Sequence, residues 1–419
     1  MSKKRVNWTD IIRIIKMIRD FFRHTFSSLK IRNYRIYFIG QVISVSGTLL
    51  QAFAQDWLVL KLTNSGTMLG IVLFFQFFPM LIFSFLGGSI VDKFHKLKIL
   101  YITQSIPAIL ALLLGILVLT NTVQIWMVFI FAFLLGLTMT VDNPARQSFI
   151  YEMVGGEQIK NAISLWTVLI GLSRIVGPAL AGILIATLGM GECFIINAFS
   201  YIAVLIALSM INVSELRIAT NSQAVNLKES VQYILKTPVI FTTLLMMAFI
   251  GTITFEWQAT LPLMAKFVFN GNAETYSIIS VALSVGMLIG ALITAGSQKN
   301  SLKIISFVSL FFGLFLLLVS YAPNLIMAVL GFVFVGAFAI AFGNLTASLL
   351  QVSSDSRMRG RVMSLWSAGF NGSTAIGGPL IGWVGEVYGA RWSLAIGGFA
   401  AIIAALYGFY VINKNKNIK

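Results

Sequence analysis

The feature that most limits this chain is its division into apolar runs long enough to cross a bilayer. The hydrocarbon core of a membrane is ~30 Å thick and takes a helix of ~20 predominantly apolar residues to span it. Twelve runs of this kind occur, at 37–61, 67–91, 99–119, 123–141, 161–188, 192–212, 239–268, 275–297, 303–321, 325–350, 362–388 and 391–412. Lipid offers no partner to an open backbone N–H or C=O, so each run is expected as a helix. Charge content points the same way. Only 11% of residues are charged and 58% are hydrophobic, against ~25% charged in a typical soluble domain. The chain cannot clothe a water-facing surface.

A formal charge of +16 in a soluble protein would suggest nucleic acid. Here the basic residues alternate with the apolar runs. With the N-terminus placed inside, 26 of the 30 Lys and Arg fall on inside segments, ten of them within residues 3–35. Only Lys61, Lys266 and Arg391 fall on outside loops, and Arg174 lies within a run. This asymmetry places both termini in the cytoplasm of a bacterial inner membrane and requires an even number of spans. No cleavable signal peptide is expected, because Arg13, Lys16, Arg19 and Arg23 interrupt the first apolar stretch. Instead Trp8, Ile11, Ile12, Ile15, Ile18, Phe22 and Phe26 recur at helical spacing, which predicts a helix lying on the anionic inner leaflet as an orientation anchor.

The expected organisation is a cytoplasmic amphipathic segment (1–36), a six-helix half (37–212), a cytoplasmic linker (213–238) with a short surface helix at 226–236, a second six-helix half (239–412) and a cytoplasmic tail (413–419). The halves echo each other at an offset of 200 residues. Asp56-Trp57 matches Glu256-Trp257 in kind, Ser164-Leu165-Trp166 matches Ser364-Leu365-Trp366, and Gly177, Gly182 and Gly189 match Gly377, Gly382 and Gly389. Two parallel halves with a site between them at mid-membrane is the architecture of alternating access.

Several chemistries are excluded. The single Cys193 allows no disulfide framework and no cysteine metal site. His24 and His95 are too few and too far apart for a histidine site. No phosphate-binding Walker loop, HExxH motif or nucleophile elbow occurs. Neither enzyme chemistry nor a cofactor is expected.

Three charges lie within the apolar runs: Asp56 in the first, Arg174 in the fifth and Glu256 in the seventh. An embedded charge costs roughly 2.5–3.5 kcal/mol on insertion scales, so it needs a partner or a watered cavity. Apolar surroundings favour the neutral form of a carboxyl group, which suits proton binding and release. These three are the candidates for proton or substrate coupling. The alternative is a structural ion pair, or for Asp56 mere closeness to the outer surface. Trp57 and Trp257 are candidates for cavity walls or for interfacial anchors.

The loop after the second run holds Gly88, Asp92, Lys93, His95, Lys96 and Lys98. This resembles the signature of the major facilitator superfamily: glycine, three residues, aspartate, a basic residue, then glycine and more basics. His95 stands where that glycine usually sits. Asp142-Asn143-Pro144-Ala145-Arg146-Gln147, expected to end the fourth helix as a cap and Pro-led turn, resembles the exporter branch that includes macrolide efflux proteins and the enterobactin exporter. So does the stretch from Gln351 through Arg359-Gly360-Arg361-Val362. Gly177-Pro178 with Gly182, and Gly377-Gly378-Pro379 with Gly382, resemble the exporter Gly-Pro motif. In the second half the loop signature is degenerate, with only Gly290, Lys299 and Lys303 suggestive.

The resemblance implies a twelve-helix major facilitator fold, an all-α polytopic protein in two pseudo-symmetric halves. It implies an inner gate of Gly88, Asp92, Lys93, Lys96, Asp142 and Arg146, with Asp142 pairing Lys93 or Arg146. Gly88 would admit close helix packing, and Asp92 would meet a neighbouring helix N-terminus. The Gly-Pro elements would permit close packing and a kink between the halves. The expected function is proton-driven efflux of a drug-like amphipathic compound or a siderophore by a monomer. The rivals are an uptake symporter on the same fold and a non-transporting membrane sensor or scaffold.

Overall fold

The computed structural model describes residues 26–217, 227–295, 300–355 and 358–414. The amphipathic segment expected before residue 26, Lys299, Arg357 and the last five tail residues lie outside them. All regular structure among the described residues is helical.

Among the described residues ten helical stretches are long and apolar enough to cross a membrane. One of them, Ile125–Thr187, has 63 residues and would measure ~95 Å as a single rod, far more than a bilayer. It breaks at Gly155, where φ is +69° and ψ 178°. A side chain rarely adopts that backbone, and a Cβ there would strike the Arg217 guanidinium. The Arg217 backbone N–H donates to the Glu152 carbonyl at 2.8 Å, fixing the bend. Two spans result. A further segment, 359–387, is divided by a wider turn at Ala368–Gly372 and supplies the twelfth.

We number these α1 (Arg32–Thr63), α2 (Gly66–Lys93), α3 (Lys96–Leu119), α4 (125–154), α5 (156–187), α6 (Met190–Ser209), α7 (Pro238–Val268), α8 (Ala273–Ala295), α9 (Leu302–Ser320), α10 (Leu325–Ser353), α11 (359–387) and α12 (Ala390–Lys414). The linker helix is Leu227–Lys236.

The 200-residue repeat is visible in the backbone. Gly189 and Gly389 both adopt positive φ, +131° and +99°, at the turns into α6 and α12. Trp166 lies under the Arg146 guanidinium at 5.1 Å, and Trp366 donates to the Thr346 hydroxyl at 3.0 Å. The same pair of positions makes contact in each half with different chemistry.

Three expectations need correction. The fourth helix does not end at Asp142; it runs on through Pro144 to residue 154. A proline inside a helix removes only one ladder bond and is tolerated in membrane bundles, while Gly155 supplies the true break. Close approach to α4 occurs at Gly87, whose Cβ would strike the Thr140 carbonyl, whereas Gly88 faces nothing within 4 Å. The seventh helix is not continuous: it opens at Thr254–Glu256, resumes at Trp257–Leu263 and ends in a wide turn, Met264–Val268.

The halves meet along two seams. In one, Gly70 and Gly66 of α2 lie against the Gly378 and Gly382 carbonyls of α11. In the other, Gly182 of α5 faces Ser277 of α8, and the Ser277 hydroxyl donates to the Pro178 carbonyl at 2.7 Å. Both Gly-Pro elements therefore sit on the seams, where small residues let helix backbones touch.

Candidate functional site

Between the seams lies a cavity of about 360 Å³, lined from α1, α2, α4, α5 and α6 on one side and α7, α8, α10 and α11 on the other. Its size falls in the ordinary range for small-molecule sites. The second half contributes four aromatic rings, Phe255, Trp257, Tyr276 and Phe370. Phe255 sits 5.2 Å from Phe370 and 6.2 Å from Trp257 between ring centroids, and Phe255 and Trp257 lie at the break in α7.

The first half contributes amides. Asn197 of α6 donates to Gln51 of α1 at 2.7 Å, and Gln55 of α1 donates to Gln76 of α2 at 3.3 Å. These four line the cavity. They were missed in the sequence, although Gln51 and Gln55 one turn apart in an apolar run were a readable signal.

Asp56 lines the cavity and is only 2% exposed. The Tyr276 hydroxyl of α8 donates to its Oδ2 at 3.1 Å, across the two halves. Tyr276 also stacks on Phe53 at 3.9 Å. Arg174 lines the cavity from α5, half-exposed, with the Met287 sulfur 3.8 Å from its Nη1. The Ser284 hydroxyl donates to the Arg174 carbonyl at 3.0 Å. Trp257 lines the cavity as well.

Glu256 and Trp57 do not line it. Glu256, also 2% exposed, points into the contact between α7 and α11, both of the second half. Among the described residues neither carboxyl oxygen has a hydrogen-bond partner, and the Thr374 hydroxyl is a polar neighbour. The carboxyl occupies space that only a glycine leaves free, since a Cβ on Gly377 would lie 2.5 Å from Glu256 Oε1. Trp57 packs beside Tyr276, with ring centroids 6.2 Å apart.

At the basic-loop end, Asp142 and Arg146 form a buried pair. Arg146 Nη2 lies 2.5 Å and Nε 3.1 Å from Asp142 Oδ2. Thr103 and Gln104 of α3 each donate to Asp142 Oδ1 at 2.7 Å, and Arg146 also reaches Gln41 of α1. Of the two partners expected for Asp142, the structure shows Arg146. Asp92 and Lys93 are exposed, with no ion pair among the described residues. Lys96 instead meets Glu152 at 3.7 Å.

The opposite end is sealed by two contacts that sequence reading did not single out. Lys266 of α7 donates to the Leu60 carbonyl at 2.8 Å and to Asn64 Oδ1 at 2.6 Å. Glu386 of α11 accepts from the Ser65 hydroxyl at 2.5 Å and the Thr67 N–H at 2.8 Å. Both grip the turn between α1 and α2.

A family described as transmembrane secretion effector matches residues 23–417. The staphyloferrin A transporter of Staphylococcus aureus is 26% identical over 397 residues, covering 92% of this chain and 97% of that protein. The enterobactin exporter of Salmonella typhi is 22% identical over 394 residues, covering 92% and 94%. Macrolide efflux protein A of Streptococcus pyogenes is 23% identical over 272 residues, covering 64% and 67%. Among solved structures, a bacterial homologue of the human lysosomal transporter Spinster, inward-facing and unoccupied, superposes with a TM-score of 0.73 at 11% identity, covering 92% of this chain and 98% of that one.

Proposed function

The chain belongs to the transmembrane secretion effector family of the major facilitator superfamily, a multi-pass membrane transporter, and from that premise we propose that it exports an amphipathic compound or siderophore in exchange for protons. The observation that carries this reading is the cavity between the halves, with an embedded carboxylate, Asp56, joined across the halves to Tyr276. The relatives named above are a staphyloferrin A transporter, an enterobactin exporter and a macrolide efflux protein, and that supports the substrate class and direction.

With the basic loops and both termini taken as cytoplasmic, the clamped end faces outside, which makes this the inward-facing state of the cycle in our reading. The clamps at the α1–α2 turn close the outer end, and Asp142–Arg146 holds the inner end of the first half. Rocking about the two seams would release the clamps and expose the cavity outside. A membrane potential supplies ~2.3 kcal/mol per charge per 100 mV, enough to bias a two-state motion. Asp56 bonds Tyr276 across the halves, so a proton on it changes how they meet, while a proton on Glu256 changes how α7 packs on α11 within the second half.

Cells expressing the protein are loaded with drugs, dyes and catechol-type siderophores, with and without a protonophore. Expression should lower accumulation of at least one compound, and collapse of the proton gradient should restore it. Substrate accumulating on expression would instead establish uptake, and no flux of any compound would favour the sensor. Glu256→Gln, which keeps shape and removes the proton site, should fold normally but flatten the pH dependence of transport. A wild-type pH profile in that variant removes Glu256 from coupling.

A further inference from the structure

The geometry points to an elongated amphoteric substrate, held with its cationic end at Asp56 and its acidic end at Arg174. The inference rests on the transport reading only in taking this cavity as the substrate site. Asp56 and Arg174 are the two charged side chains in the cavity wall. Neither has an oppositely charged partner within 4.0 Å among the described residues, where the ion pairs are Lys96–Glu152 and Arg146–Asp142. The Tyr276 hydroxyl gives Asp56 a hydrogen bond but no counter-charge. Arg174 has the Met287 sulfur, a weak acceptor.

The two charges do not satisfy each other because they lie at different depths. α1 and α5 run in the same direction and touch at one level, where a Cβ on Gly177 would meet the Leu49 Cβ at 2.7 Å. From that level Asp56 is seven residues on toward the sealed end, and Arg174 is three residues back toward the basic loops. At 1.5 Å per residue these offsets separate them by ~15 Å along the bundle. The guanidinium also leans away from Asp56. It contacts Met287, while Ser284, one turn nearer the sealed end of α8, bonds the Arg174 carbonyl. Phe53, one turn before Asp56, and Leu283, beside Ser284, line the space between them.

A ligand with one charge satisfies one end and leaves the other embedded charge unpaired in a partly apolar wall. A site built to pair a polar group discriminates strongly against the analogue that lacks it. A ligand with an ammonium and a carboxylate separated by an apolar body satisfies both. It also fixes orientation, with the cationic end toward the α1–α2 turn and the acidic end toward the basic loops.

The test uses the full chain in lipid nanodiscs and one skeleton in four charge states: 12-aminododecanoic acid, its methyl ester, its N-acetyl derivative and the doubly capped compound. Binding is read by calorimetry, with heats from empty nanodiscs subtracted. Capping either end should weaken binding at least tenfold. Arg174→Gln should erase the preference for acid over ester and keep that for amine over acetamide. Asp56→Asn should do the reverse, and Arg174→Lys should retain the acid preference. The inference is overturned if the uncapped acid does not bind, if either singly capped compound binds as well as it, or if the neutral variants keep the wild-type preferences. The expected binding pattern without flux in proteoliposomes would remove the transport reading and leave this one standing.

Discussion

Glu256 shows how a residue can be conspicuous in sequence while its surroundings stay hidden. Its match to Asp56 in the repeat made it a coupling candidate, but only the structure shows that Phe255 and Trp257, on either side of it, line the cavity while Glu256 enters the contact between α7 and α11. The space it fills is left by Gly377, where a Cβ would strike the Thr252 carbonyl and crowd Glu256 Oε1. Gly377→Ala should therefore push α7 from α11, at the ~1–3 kcal/mol usual for overpacking, and lower the melting temperature in detergent. Gly360→Ala is the control, because nothing lies within 4 Å of its Cβ; its effect should stay within ~0.5 kcal/mol. Equal melting temperatures for both variants would show that the α7–α11 contact is slack. Hydropathy could locate these residues along their runs but not around them. A helix that opens for three residues changes which side chains face inward, and no periodicity announces the opening.

At the scale of elements, the positions of the spans were legible because apolar length is a direct demand of the bilayer. Their ends were less so. Pro144 suggested a stop, but the helix carries it, and the sharp reversal belongs to Gly155, which only a backbone argument identifies. The outer clamps were invisible because each joins a residue to a helix end far away in sequence. Lys266 meets the C-terminal carbonyl end of α1 and Glu386 meets the N-terminal N–H end of α2. Each charge thus has the sign that the helix dipole favours at that end. Such contacts are worth ~0.3–1 kcal/mol each where solvent screens them. Losing both, ~0.6–2 kcal/mol together, should raise the outward-open population roughly threefold to thirtyfold, since ~1.4 kcal/mol is a factor of ten in an equilibrium. The measurement is the labelling rate of Ala52→Cys in the cavity wall by a membrane-impermeant thiol reagent applied from the α1–α2 side; the native Cys193 is buried. The rate should rise in the Lys266→Ala, Glu386→Ala background. An unchanged rate would mean that the clamps do not hold the gate.

The whole molecule was the most legible level, since an offset of 200 residues already implied two copies of one unit. What the offset could not show is that the copies have diverged where they meet. Arg146 over Trp166 in the first half has Thr346 bonded to Trp366 as its counterpart, so the first half carries a charge at a position where the second carries a hydroxyl. Alternating access requires the sealed end to open once per cycle, whichever half moves. Ser65 and Glu386 approach to 2.5 Å across that end. A Ser65→Cys, Glu386→Cys pair joined by a short methanethiosulfonate crosslinker should therefore stop flux almost completely. Reductant should restore it, and binding from the basic-loop side should persist while the link is in place. The sensor reading predicts no flux before or after. A fully crosslinked protein that still transports at the wild-type rate would mean that the substrate leaves by a path that does not part α2 from α11, and the rocking scheme would have to be abandoned.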